Sequence, residues 1–372
     1  MKRYFQCAVF LWAACRPLGD ASLEGKHVVV DAATGQPLCG GSLAFMDEFV
    51  ERVSNEFSIS APVGEERILF YWLDSQDFTD RSECGARLVG CARGNETFSR
   101  TAPHNHELVH NLTFALGSPP VFFAEGLAVV YQGLDGRPYS NVGDSSADVR
   151  EALTATNAEL VEYDLYPLAG KFTAFLISRH GIEAFLRLYT SLDAGAGELE
   201  LDVGFRQQFG TSLDDSIAEF EAGPSCAHEA YDAKLMECNA PTLAWDGRAL
   251  QMTRTLSCED LDAIGPFAGD STLVLHTIDI GEGGLYELRV LGEEDDVPSG
   301  MTHIVSMYAC DNPCLLRQLV AGAIDVPQIG WLDPGRYSLR LHGPANASTI
   351  IGFQLLRVDD PSSAMDPKMA GT

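Results

Sequence analysis

Beyond its N-terminus the chain has no run of about 18 apolar residues, the length a helix needs to cross a bilayer, so a multi-spanning membrane protein is excluded. Basic residues are scarce: 25 Lys and Arg stand against 53 Asp and Glu over 372 residues, a formal charge of −28. A surface so acidic repels phosphate backbones, which excludes a general nucleic-acid binder. No two cysteines have the C-x2-C spacing that zinc ribbons favour. The apolar fraction, 46%, is that of a globular protein, so disorder is excluded for most of the chain. The length suggests two domains, each large enough to bury its own core.

The first residues have the three parts of an export signal: Lys2 and Arg3, the apolar run Tyr4 to Ala14, then small residues. Two cleavage points compete. Trp12-Ala13-Ala14-Cys15 resembles a lipobox and would place a lipid on Cys15, the only membrane contact expected, while Gly19-Asp20-Ala21 suits an ordinary signal peptidase. Either way the expected location is secreted or in the cell envelope. Setting aside Cys7 and Cys15 leaves Cys39, Cys84, Cys91, Cys226, Cys238, Cys258, Cys310 and Cys314, an even number that reads as disulfides behind an export signal. Cys84 with Cys91 and Cys310 with Cys314 would close small loops. Cys226 with Cys238 would clamp a domain junction, and Cys39 with Cys258 is the pair that remains.

The hydrophobic period changes near residue 240. Before it the segments are mostly helical: Ser42 is expected to cap a helix running to Phe57, with Leu43, Met46, Phe49, Val50 and Val53 on one stripe. Ile68 to Leu73 is a short strand. Pro167 to Arg179, Ile182 to Leu192 and Leu213 to Phe220 have helical spacing, with Gly181 as a stop signal. After Pro241 the period is two, as in Tyr286, Leu288, Val290 and in Tyr337, Leu339, Leu341, with turns at Gly281 to Gly284 and Asp333-Pro334-Gly335. The expected fold class is therefore α+β. A mostly helical domain with a small sheet (22–225) follows the signal (1–21); then come a cysteine-containing linker (226–242), an all-β sandwich or jelly-roll domain (243–360) and a loose tail (361–372).

The informative segment is His106-Glu107-Leu108-Val109-His110. Residues four apart lie one turn above each other on a helix, so both imidazoles can share one cation. Glu107, about 100° round the helix, can reach a water at that cation without being a ligand. A zinc site still needs a third protein ligand. Gly117-Ser118-Pro119-Pro120 forces a turn, and a second helix from about Pro120 to Tyr131 returns Glu125 to the level of His110: six residues out are roughly 9 Å, five back roughly 7.5 Å. Glu125 stands among apolar and small residues, where an adjacent cation would offset the cost of a buried carboxylate. His104, two residues from His106, points to another face and reads as a helix-start residue. The sequon Asn111-Leu112-Thr113 lies on the same helix, which makes glycosylation there an unfavoured reading.

At these residues the sequence resembles the gluzincin metallopeptidases, and more narrowly the bacterial peptidase MA-like proteins, which show H-E-L-x-H, a proline-led turn and E-G-L-A. The likeness spans roughly residues 40 to 222 and includes Tyr166 to Phe172, similar to a tyrosine-led helix of that family, and Phe209 to Leu213, similar to its closing segment. It implies one zinc ion held by His106, His110 and Glu125, with Glu107 as general base. It also implies that Tyr166 donates a hydrogen bond in the transition state; the nearest rival in this sequence is His180, at the far end of the Pro167 helix. The C-terminal segment is similar to small β-domains appended to secreted bacterial peptidases. Two features depart from the pattern: Val129 stands where an acidic residue often orients the first histidine, and the G-x-M-E-N signature of related aminopeptidases is absent.

These features point to a secreted or lipid-anchored zinc metallopeptidase that cuts peptide or protein substrates within the chain. The alternative is a non-enzymatic surface protein that binds glycan or protein through its β-domain. The sequence names neither the substrate nor that domain's partner.

Overall fold

In the computed structural model, residues 22–35, 37–85, 88–133, 148–223, 235–267, 271–292, 303–310, 318–322 and 324–358 are described. The segment read as an export signal, with Cys15, and also Cys226, Cys314 and the C-terminal segment 361–372 lie outside them.

A short β1 (Ser22–Glu24) precedes β2 (Val28–Ala32), whose run of three valines suits extended backbone. Then come α1 (Ser42–Glu56), β3 (Ile68–Trp72), α2 (Ser75–Arg81), β4 (Gly90–Arg93) and β5 (Glu96–Ser99). These strands form one sheet in the order β1-β2-β3-β5-β4, with β2, β3 and β5 parallel and β4 antiparallel at the edge. The helices α3 (Asn105–Thr113), α4 (Val121–Tyr131), α5 (Val149–Leu153), α6 (Asn157–Glu162) and α7 (Tyr166–His180) follow, and then α8 (Ile182–Ser191), α9 (Glu198–Phe209) and α10 (Leu213–Ala222). One core joins them to the sheet. Val28, Val30, Ile68 and Phe70 of the strands meet Phe49 and Val53 of α1, Leu108 of α3, Phe122 and Phe123 of α4 and Phe172 of α7, all buried. On the opposite face of the sheet Tyr71, Leu73, Phe78 and Phe98 form a smaller cluster against Cys84 and Cys91.

Among the described residues from 249 on, the regular elements are strands: β6 (Ala249–Leu256), β7 (Ile264–Phe267), β8 (Ser271–Ile280), β9 (Gly284–Leu291), β10 (Ile304–Ala309), β11 (Gln318–Ala321), β12 (Gln328–Leu332), β13 (Gly335–Pro344) and β14 (Thr349–Val358). Two antiparallel sheets result, β11-β10-β13-β8-β7 and β12-β9-β14-β6. Tyr286, Leu288 and Val290 of one sheet share a core with Tyr337, Leu339 and Leu341 of the other, as the period of two requires. The chain is thus a mixed α+β protein.

Three disulfides tie the described residues together. Cys39 bonds Cys258 and Cys84 bonds Cys91, as the sequence suggested. The pairings of Cys226 with Cys238 and of Cys310 with Cys314 are overturned, because Cys238 bonds Cys310. The reason lies in the fold. Beside Cys238, Glu237 is buried against sheet strand β13, where it accepts hydrogen bonds from Ser338 Oγ (2.6 Å) and Arg340 Nε (2.7 Å), and this anchor sets Cys238 next to the end of β10.

Ser42 is a second correction. It is the first residue of α1 rather than its cap, and its hydroxyl donates to the Gly265 carbonyl at 2.6 Å and accepts from Gly265 N–H at 2.8 Å. The start of α1 is thereby fastened to the β-strand segment that Cys39 also reaches through Cys258.

Candidate metal centre

The two helices that carry the motif form an antiparallel hairpin. The first ends in a short 3-10 turn, Phe114–Leu116, and Gly117 takes φ of 125°, a backbone that side-chain-bearing residues rarely adopt. Pro120 then caps α4, whose residues Phe122, Phe123, Leu127 and Val130 are fully buried. The hairpin brings three donor atoms together: Glu125 Oε2 lies 3.1 Å from His106 Nε2 and 3.2 Å from His110 Nε2, and the two Nε2 atoms are 3.2 Å apart. Among the described residues this is the group of His, Cys, Asp and Glu placed to hold a metal ion. Donors about 2.0–2.1 Å from a tetrahedral zinc stand about 3.3–3.4 Å from one another, so the triangle fits the ion with little adjustment.

Two close approaches by glycine shape the surroundings. A Cβ on Gly126 would stand 2.3 Å from Thr173 Oγ1 and 2.6 Å from the Ala169 carbonyl, so only glycine lets α4 and α7 pack this closely. That packing delivers Tyr166, the first residue of α7, to the site, where its ring centroid is 6.1 Å from that of His106. Likewise, a Cβ on Gly90 would meet the His104 ring at 2.6 Å and Glu107 Cγ at 2.9 Å, so edge strand β4 lies directly against Glu107. His104 caps α3, bonds Ser99 Oγ through Nδ1 at 2.8 Å and is not one of the three clustered donors. Asn111 faces away from the centre. Its amide donates to the carbonyls of Gly94 (2.9 Å) and Glu96 (3.2 Å), tying α3 to the β4–β5 hairpin.

Burial and charge set the protonation states. Burial alone would disfavour charge on His106, but the hydrogen bond to Glu125, the charges of Glu107 and Glu125 and the bond to Gln132 outweigh it and push its pKa up to about 9. Burial also opposes charge on Glu125, yet the two histidines hold its carboxyl well below the usual carboxylate range. Glu107 shifts the other way, raised chiefly by burial. The Tyr166 phenol is raised by burial and then by the charges of Glu125 and Glu107, so it stays a proton donor. Its hydroxyl lies 3.4 Å from Asn157 Oδ1. His180, by contrast, stacks on Phe209 with centroids 4.2 Å apart, at the other end of α7.

A cleft of about 720 Å³ opens onto the cluster, bounded by β4 and by residues of α3, α4 and α6, with Tyr166 on its wall. Sequence reasoning left the partner of His106 unnamed. It is Gln132, whose Oε1 lies 3.0 Å from His106 Nδ1. The available signal was its spacing, seven residues and so about two turns beyond Glu125 on the same helix face.

No family model and no curated protein matches the sequence. Among solved structures, the pre-peptidase C-terminal domain of collagenase from Bacillus anthracis is 15% identical with a TM-score of 0.22, over 32% of this chain and 94% of that one. IMPa metallopeptidase from Pseudomonas aeruginosa is 12% identical with a TM-score of 0.20, and the alignment covers 66% of this chain but 30% of that one. PliG, a periplasmic lysozyme inhibitor from Aeromonas hydrophila, is 9% identical with a TM-score of 0.21, over 31% of this chain and 91% of that one. At these scores the likenesses assign neither a family nor a function.

Proposed function

We propose that His106, His110 and Glu125 hold one zinc ion and that the chain is a gluzincin-type metallopeptidase cutting within peptide or protein chains outside the cytoplasm. One observation carries this reading: three metal-ligating atoms, each 3.1–3.2 Å from the others, converge beside a fourth group, Glu107, on the same helix. When bound, the ion supplies a Lewis acid that polarises a carbonyl and brings the pKa of water toward neutrality. Glu107 is the proton carrier, accepting at a carboxylate oxygen and delivering to the leaving nitrogen. Tyr166, kept protonated, donates a hydrogen bond to the carbonyl oxygen as charge grows there.

Cleavage within chains is supported by the cleft itself. Edge strand β4 borders it, and an exposed edge can pair with an extended peptide. Export is supported by the three disulfides, and no helix among the described residues is long and apolar enough to cross a membrane.

The test is metal analysis of the purified protein together with cleavage of an unfolded protein substrate. The expected result is about one zinc per chain, with proteolysis lost on chelation and restored by zinc. A protein that takes up no metal under zinc-replete conditions would refute the reading.

A further inference from the structure

Gln132 directly follows α4, on the face that carries Glu125, and its Oε1 meets His106 Nδ1 at 3.0 Å. An amide oxygen only accepts, so the imidazole nitrogen facing it carries the proton. A neutral ring has one such proton, which leaves Nε2 bare toward Glu125 and His110. One turn after Glu125 stands Val129, whose side chain has no polar atom to offer.

We propose that Gln132 is the positioning residue of this metal site: it fixes the tautomer and orientation of His106 with a neutral amide, where a carboxylate would also add negative charge. This rests on the reading of His106, His110 and Glu125 as metal ligands. The charge difference has a direction. With a divalent cation, Glu125 and Glu107 together leave the centre neutral, whereas a glutamate at position 132 would make it negative, bind the cation more tightly and leave it a weaker Lewis acid. Gln132 thus gives up part of the available affinity and keeps the cation more electrophilic.

Zinc affinity of the full chain, measured by competition with a chromogenic chelator, separates this role from mere packing. Gln132→Ala should lose about 10- to 100-fold in affinity, the usual loss for a residue that orients a metal-bound histidine. Gln132→Glu should bind zinc more tightly than the wild type and turn over more slowly. A packing role would weaken zinc binding in both variants. Nitrogen-15 NMR of histidine-labelled, zinc-loaded protein supplies a second readout: the His106 Nδ1–H signal should be protected from exchange in the wild type and lost in Gln132→Ala. If the wild type binds zinc and Gln132→Ala lies within about twofold of it, or Gln132→Glu binds more weakly, the inference falls while the site stands. A wild type that binds no zinc overturns both.

Discussion

The Nε2 atoms of His106 and His110 lie 3.2 Å apart with the Glu125 carboxylate 3.1–3.2 Å from each. Two bare ring nitrogens and a carboxylate at such distances repel unless something positive stands among them. In the metal-free protein that positive charge is a proton, which is why His106 is raised and Glu125 lowered.

That exchange makes stability depend on pH. The folded state holds the His106 proton more tightly than the unfolded chain, so its contribution is full below about 6.5 and is lost as pH rises through about 9. Glu107, raised by burial, acts in the same direction. The lowered Glu125 contributes above its unfolded value of about 4.5, and that contribution is lost as pH falls. The melting temperature of metal-free protein should therefore decline toward pH 9, and zinc should abolish most of the decline. Melts that are flat over this range without zinc would contradict the protonation scheme.

Glu107→Gln should keep fold and zinc while turnover falls by about 10² to 10⁴, because an amide cannot take the water's proton. Parallel metal analysis and peptide cleavage check this. Activity within about tenfold of the wild type would exclude Glu107 as the base.

Glu125→Ala should lower zinc occupancy together with activity, since two imidazoles alone make a weak site. Equilibrium dialysis against zinc measures it. Full occupancy would show that another group completes the coordination.

Tyr166→Phe should lower kcat by about 10² to 10³ with KM and zinc content nearly unchanged, the usual cost of removing one donor to a developing oxyanion. His180→Ala should leave turnover intact, because that ring stacks on Phe209 away from the cluster. The reverse pattern would transfer the role to His180.

Peptide mapping under non-reducing conditions should recover Cys238 joined to Cys310. Replacing Cys39 and Cys258 together by serine should cost about 2–5 kcal/mol, as expected for a crosslink closing a long loop. Thermal or urea unfolding gives the second quantity.

The convergence of His106, His110 and Glu125 was legible in the sequence because it depends on local geometry alone: a four-residue spacing on one helix and a turn short enough for the next helix to return in register. The contact between Gln132 and His106 depends on how the two helices are rotated about their axes, which packing decides. Helix α9 went unseen for another reason. Glu198-Leu199-Glu200-Leu201 alternates like a strand, yet Leu201 and Phe205 are buried while Leu199 is 78% exposed, so the helical face starts one leucine later. The Cys238–Cys310 bond spans 72 residues, and its partner choice follows from Glu237 docking on β13, a long-range contact with no signature in spacing.

The Cys39–Cys258 bond closes a loop of 219 residues that contains α1 through α10 and every residue of the candidate metal centre. A nick anywhere within that loop would not release a fragment, since both new ends remain covalently attached through the crosslink. Under proteolysis the half that holds His106, His110 and Glu125 and the β-sheets would stay one molecule until a reductant met them. On a non-reducing gel a nicked molecule would migrate near the intact mass, and its two pieces would separate only after thiol treatment.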